Sequence, residues 1–244
     1  MELTGKIALI TGATGGIGGA AARLLAARGA HVVASGRDRQ RGAALVKEIA
    51  ESGGTARFLA ADLGDVESLH HLAAAAGEVD VLVNNAALFP VAPTTEQEAA
   101  DLDEAFGANV RAPYLLTAAL VPAMVAKGAG SIINVSTMAA SVGMPGLSAY
   151  SATKGALEAL TRTWAAEFSP AGVRVNTVSP GPTRTDMVML TMGEEGAAQV
   201  AGTTLLKRLA APEEIAEVIA FLASDRSGFM TGATVAVDAG RTAI

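Results

Sequence analysis

The stretch TGATGGIGGAAARLL, residues 11–25, follows the short apolar run KIALIT (6–11) and passes directly into an alanine-rich helical pattern. Glycines at 12, 16 and 18 let the backbone turn sharply and approach a bound group closely. Beyond them the free N–H groups of a helix N-terminus face the same place, an arrangement that receives a pyrophosphate. A glycine-rich turn by itself is also a plain strand-to-helix connection, and counted from Gly12 the spacing departs from the commoner G-x-G-x-x-G. The setting decides the reading: a first strand, an immediate helix, and a chain that keeps alternating.

Six further runs read as strands, being rich in β-branched residues and bounded by turn residues. They are HVVAS (31–35), ARFLAAD (56–62), VDVLVNNA (79–86), SIINVS (131–136), VRVNTVSP (173–180) and TVAVD (234–238). Helical patterns such as GGAAARLLAARG, RGAALVKEIAESGG, DVESLHHLAAAAG, YSATKGALEALTRTWAAEF and PEEIAEVIAFLAS lie between them. Gly29 and Gly53 close two of these, and Pro212 followed by two glutamates opens another. The alternation predicts an α/β fold, a single-domain Rossmann-like doubly wound parallel sheet of about seven strands with helices on both faces. No linker or repeat interrupts it. One domain is expected over 1–244, its dinucleotide-binding part roughly 1–135 and its catalytic and substrate part roughly 136–244.

Half of the 244 residues are hydrophobic and only 4% are aromatic, so the core must be built from Ala, Val, Leu and Ile. The formal charge is −6 and the cations are scattered, with no basic stripe for a nucleic acid. The absence of cysteine excludes disulfides, thiolate nucleophiles and cysteine-held metals, and His31, His70 and His71 have no metal-ligand spacing; no metal is expected. The first residues, MELTGKIALITG, do not have the pattern of a signal peptide. The nearest approach to a membrane span, LLTAALVPAMVA, is short and interrupted by Pro122, so no membrane partner is expected and the location is read as cytoplasmic.

Two further segments carry chemistry. VVASGRDRQR (32–41) ends the second strand with Arg37, whose guanidinium suits a 2′-phosphate; NADP is therefore preferred over NAD, although Asp38 swinging in would serve NAD. NVSTMAASVGMPGLSAYSATK (134–154) puts Tyr150 and Lys154 four apart, on one helix face. A phenol titrates near ~10, and an adjacent ammonium together with an oxidised nicotinamide would lower that value toward useful acid–base chemistry.

With the turn and the Tyr-x-x-x-Lys both present, the chain resembles the short-chain dehydrogenase/reductase family over essentially its whole length, and most resembles the 3-oxoacyl-carrier-protein reductase type. TGATGGIG looks like the glycine motif and implies cofactor contacts at Gly12, Thr14, Gly16, Ile17 and Gly18. Asp62 and Leu63 in ADL match the positions at the adenine ring. NNAA (84–87) offers Asn85 and Ala86, with Ala87 where the family has glycine. Asn109 in FGANVRAPY corresponds to an asparagine that anchors a proton-relaying water, and Lys154 also binds the nicotinamide ribose by the same likeness. SPGPTRTDM (179–187) supplies Pro180, Gly181, Thr183 and Thr185 at the cofactor. In relatives the catalytic serine lies thirteen positions before the tyrosine, which is Thr137 here; Ser136 is one step off and stays the alternative.

The expected activity is hydride transfer between NAD(P) and a small ketone or secondary alcohol, with Tyr150 as general acid/base. Carrier-protein reduction is the alternative, and Lys127 and Arg174 are the only cations foreseen at the site mouth for such a partner. A non-catalytic dinucleotide sensor is the reading from another class, and the intact Tyr150–Lys154 pair speaks against it. Leu88, Phe89, Met138, Met144 and Leu147 hint at an apolar pocket, and Met187, Met189 and Met192 fall where relatives carry a mobile lid. The resemblance also implies a homotetramer through helices around 100–127 and 150–168.

Overall fold

The computed structural model describes residues 2–243; Met1 and Ile244, the ends of the expected domain, lie outside the described residues. Seven strands form one sheet in the order β3-β2-β1-β4-β5-β6-β7, every neighbouring pair parallel. They are β1 Ile7–Thr11, β2 His31–Gly36, β3 Thr55–Ala60, β4 Val81–Asn84, β5 Gly130–Val135, β6 Val173–Pro180 and β7 Thr234–Val237. Chain order reverses between β1 and β4, so the cleft a ligand can enter opens beyond the C-terminal ends of those strands.

Alternate residues of each strand serve opposite layers. Ala8, Ile10, Val81, Val83, Ile133 and Val135 pack with α1 (Gly16–Ala27) and α8 (Pro212–Ala223). Leu9, Leu82 and Ile132 pack with α3 (Val66–Ala76), α5 (Ala112–Lys127) and α6 (Ser148–Phe168). Both faces are therefore buried, which is why the strands read as nearly continuous apolar runs. α2 (Arg39–Glu51) lies near the β2–β3 edge, held at its start by Asp38, whose carboxylate accepts from the N–H groups of Gln40 and Arg41 at 2.9 and 3.0 Å.

Two segments differ from expectation. Pro122 does not end a helix: it sits inside α5, and α4 (Ala99–Phe106), a π-helical turn over Gly107–Arg111 and α5 run on as 29 residues, long and apolar enough to cross a membrane. Half of that apolar window is buried inside the fold, with Leu116, Leu120, Val121 and Met124 packed in the core, so the helix is a core element. The methionine-rich segment after β6 is also helical, α7 (Asp186–Gly202), broken where Gly193 takes φ +66°.

Candidate active site

At the C-terminal strand ends a cavity of about 500 Å³ runs from the glycine turn to α6 and under α7, a size ordinary for ligand sites. Its nucleotide end is built from main chain. Gly12 has φ +65°, and a Cβ there would lie 2.8 Å from the Ala86 Cα. Thr11 fixes the facing loop: its hydroxyl accepts from the N–H groups of Asn85 and Ala86 at 3.0 and 3.1 Å, while the Asn85 amide donates to the Thr11 and Gly12 carbonyls. Thr14, Gly16, Ile17, Arg37, Asp62 and Leu63 all line this end, as do Pro180, Gly181, Thr183 and Thr185 across from them.

Gly18 is different. It is buried behind the turn, where a Cβ would meet the Gly12 carbonyl oxygen at 2.3 Å, so it sets how closely α1 packs on the turn and does not line the cavity. Ala87 fits without strain, since among the described residues only Lys207 and Ala239 pair a side chain with positive φ.

These residues suit a dinucleotide on two grounds. The turn stays narrow only because Cβ atoms are missing where main chain must approach. The Ser35 hydroxyl, buried at the end of β2 on the cavity wall, has no partner of its own and is a polar contact for a ligand to satisfy.

The catalytic end is organised by α6. Tyr150 and Lys154 lie one turn apart on it, and the Lys154 Nζ, 5.9 Å from the Tyr150 ring centroid, donates to the Val135 carbonyl at 2.7 Å. Phe89 packs edge-on against the tyrosine ring, centroids 4.6 Å apart. The two hydroxyls at the exit of β5 part company. Thr137 faces Tyr150 and its hydrogen bond draws the phenol's pKa down. Ser136 also meets α6, but farther along it, and donates to Glu158 Oε1 at 2.7 Å.

The expected lowering of the phenol is not what the protein's own groups produce. Burial pushes Tyr150 up to about 12, outweighing the pull from Thr137. The lysine does little for it because burial also lowers Lys154, to about 8, and its Nζ is turned to the Val135 carbonyl.

Asn109 sits in the π-helical turn, fully buried and off the cavity wall. Its Oδ1 accepts from the Leu88 N–H at 2.8 Å, and its Nδ2 donates to the Leu88 carbonyl at 2.9 Å and the Thr153 hydroxyl at 3.0 Å. The side chain thus staples the loop after β4 to α6 from a buried position off the cavity wall.

Leu88, Phe89, Met138, Met144 and Leu147 all line the catalytic end, joined from α7 by Met187, Val188 and Met192. Met189 does not line it. Lys127 and Arg174 are not at the mouth either: they precede or begin strands, at the opposite edge of the sheet, where Lys127 pairs with Asp80 and Arg174 donates to Ser227 and the Ser224 carbonyl. Sequence reading missed Ser35, which has no partner to signal it, and Glu158 and Arg41, whose partners Ser136 and Asp186 lie far off in the chain. Among the described residues no group of three His, Cys, Asp or Glu side chains converges as a metal site.

Comparison with known proteins agrees with this geometry. Residues 12–242 match the family described as Enoyl-(Acyl carrier protein) reductase. The human dehydrogenase/reductase SDR family member 4 is 38% identical, the match covering 98% of this chain and 88% of that protein. A solved structure described as a short chain dehydrogenase/reductase family protein is 53% identical over the full length of both chains, with a TM-score of 0.95. Another, a candidate NAD(P)-dependent gluconate 5-dehydrogenase from Beutenbergia cavernae with NADP bound at low occupancy, is 37% identical over 100% of this chain and 99% of that one, TM-score 0.95. A seven-stranded parallel sheet with a glycine turn opening on the cleft between β1 and β4 is a dinucleotide-binding architecture. The chain belongs to the short-chain dehydrogenase/reductase family and is an NAD(P)-dependent oxidoreductase acting on CH–OH groups and the corresponding ketones.

Proposed function

We propose that the enzyme interconverts small, apolar ketones and secondary alcohols with NADP in preference to NAD, using Tyr150 as general acid/base. One observation carries the reading: a phenol met by the Thr137 hydroxyl and backed by a buried lysine, at the apolar end of a cavity that continues to the glycine turn. Bound, the nicotinamide supplies or accepts hydride and, when oxidised, adds positive charge.

The chain's own residues do the rest. Thr137 holds the substrate oxygen in line with the phenol, and Tyr150 gives it a proton during reduction. A phenol pushed up to about 12 stays protonated at neutral pH, the form reduction uses. Lys154, near 8, returns a proton to the phenolate, and Asn109 supports the site by stapling the loop after β4 to α6. Phe89 and the methionines of α7 exclude water from the reacting carbon. Arg37, in place of an acid at the end of β2, supports NADP, and Asp38 is committed to capping α2. Gly12, Thr14, Gly16, Ile17, Asp62, Leu63, Asn85, Ala86, Pro180, Gly181, Thr183 and Thr185 are the proposed contacts along the dinucleotide, with residues roughly 1–135 forming the nucleotide part and roughly 136–244 the catalytic part. The same reading makes the enzyme a cytoplasmic homotetramer; Tyr114 on α5 and the fully exposed Phe229 beside β7 offer apolar surface for it, and a monomer by light scattering would reject that.

Carrier-protein reduction is the second reading, favoured by the description of the matching family. With Lys127 and Arg174 facing away, it lacks the cations foreseen for docking an acidic carrier. The test follows nicotinamide absorbance with alicyclic ketones, secondary alcohols and a 3-oxoacyl thioester, for the parent and Tyr150→Phe. The variant is expected to lose about 10²–10⁴-fold in kcat while still enhancing the fluorescence of the reduced coenzyme. Parental turnover by Tyr150→Phe on the best substrate would end the reading.

A further inference from the structure

Gly15 raises a question its backbone does not answer. Its φ of 175° and ψ of 178° are extended, a conformation open to any residue. A Cβ there would lie 2.4 Å from Nη2 of Arg41, the mobile end of a side chain whose guanidinium rests over the turn. Arg41 comes from the first turn of α2, where it lines the cavity together with Arg37. Arg39, between them, faces another hollow beside Asp65 and His71.

The same guanidinium meets α7. Its Nη2 lies 3.7 Å from Oδ2 of Asp186, the first residue of that helix. The neighbouring Thr185 methyl would be 3.1 Å from a Cβ on Gly16, so the start of α7 sits directly on the glycine turn. Arg41 is therefore held between the turn and the helix that covers the catalytic end. The pair with Asp186 is long and exposed, and such pairs hold weakly. A phosphate dianion accepting parallel N–H bonds from a planar guanidinium is a stronger partner.

We infer that Arg41 is a second cation for the 2′-phosphate, acting with Arg37, and that Asp186 competes with the phosphate for it. Gly15, having no side chain, leaves room for Arg41 to rest over the turn. Occupation by a 2′-phosphate then transfers Arg41 away from α7 and loosens the first turn of the covering helix, whereas NAD(H) leaves the Arg41–Asp186 pair in place. The inference rests on the NADP preference proposed above and goes beyond it by naming the residue and its competitor.

Binding separates the two. Dissociation constants for NADPH and NADH, read from coenzyme fluorescence in the full-length protein, are compared across parent, Arg41→Gln, Arg41→Lys and Asp186→Asn. Arg41→Gln should weaken NADPH about tenfold or more, the scale of a lost charged hydrogen bond, and leave NADH within about twofold; Arg41→Lys should fall between. Asp186→Asn should tighten NADPH several-fold and leave NADH unchanged. Hydrogen exchange at residues 186–192 should quicken with NADPH and not with NADH.

A parent that binds NADH as tightly as NADPH overturns the NADP preference and this inference with it. A parent that prefers NADPH, with Arg41→Gln shifting both coenzymes equally or neither, leaves the preference standing and overturns the role of Arg41. An unchanged or weaker NADPH constant in Asp186→Asn overturns the competition.

Discussion

The two ends of the cavity are built from opposite materials. At the nucleotide end, side chains are missing or answer main chain: Gly12 and Gly18 clear space, and Thr11 and Asn85 bond to backbone groups of the facing strand ends. At the catalytic end, side chains bond to each other through the core. The Asn84 amide donates to Asn134 at 2.9 Å, Asn134 donates to Thr161 at 2.7 Å, and Thr161 meets the Thr177 hydroxyl at 2.8 Å. Asn84, Asn134 and Thr177 are register partners on β4, β5 and β6, so the chain of amides and hydroxyls ties three strands to α6 one level beneath the tyrosine. A turn held by backbone and space leaves stability little dependent on its exposed side chains. A buried polar ladder, in which the Asn84 Oδ1 already has no partner, is sensitive to any further loss.

The largest expected effect breaks the catalytic end at its mouth. Thr137→Ala should lower kcat about a hundredfold, the scale of one lost oxyanion donor, with coenzyme binding preserved. Ser136→Ala should spare turnover within a few-fold and act on stability, because its hydroxyl serves Glu158. Steady-state kinetics on both decides it: the reverse pattern would move the catalytic hydroxyl to Ser136.

Next comes the buried ladder. Asn134→Ala removes the bonds to Asn84 and Thr161 and strands the Asn84 amide in the core. A loss of about 2–4 kcal/mol is expected, read as a lower urea midpoint with an unchanged slope. No side chain at the nucleotide end should cost as much; a loss under about 1 kcal/mol would mean that water replaces the amide and that the two ends differ less than claimed.

The same contrast explains what could be read from the chain. All seven strands and the glycine turn were legible because a sheet buried on both faces leaves apolar runs, and a turn without Cβ atoms leaves glycines. Features that depend on direction were not. Whether the Ser136 or the Thr137 hydroxyl meets Tyr150 hangs on the pleat at the end of β5; Ser136 meets α6 farther along, at Lys154 and Glu158. Lys127 and Arg174 looked close to the site, yet residues entering parallel strands lie at the opposite edge from those leaving them. α7 showed no clear stripe, its apolar and polar residues being mixed around a break at Gly193. The phenol's shift followed from how deeply the ring is buried, which no local pattern in the chain reveals. Arg41 was invisible for a related reason: its meaning lies in Gly15 and Asp186, distant in sequence and adjacent in space.

Lys154 sharpens the comparison through pH, since it is a cation buried at the catalytic end with its pKa lowered to about 8 by desolvation. The folded lysine sheds its proton near 8 and the unfolded one near ~10.4, so between those values the unfolded chain binds more protons and stability rises with pH. Below 8 both forms are charged and the burial cost is present in full. Tyr150, raised to about 12, works the other way but only above the unfolded phenol value of ~10. From pH 8 to 10 the parent should therefore gain about 2 kcal/mol relative to Lys154→Met, read by urea unfolding at each pH. Parallel curves for the two proteins would show that the lysine is not buried as a cation.

The smallest effect belongs to the nucleotide end. Asp38 caps α2 through the N–H groups of Gln40 and Arg41, so Asp38→Ala should cost about 1 kcal/mol of stability. Both bonds hold the Asp38 Oδ1 at the helix start, and NADH affinity should stay within about twofold of the parent, as it would for any lost cap. The opposite result, weak NADH binding with unchanged stability, would require Asp38 to leave the helix start for the ribose hydroxyls. The start of α2 would then serve the ligand rather than the fold, and the reading of Asp38 as a helix cap would fail.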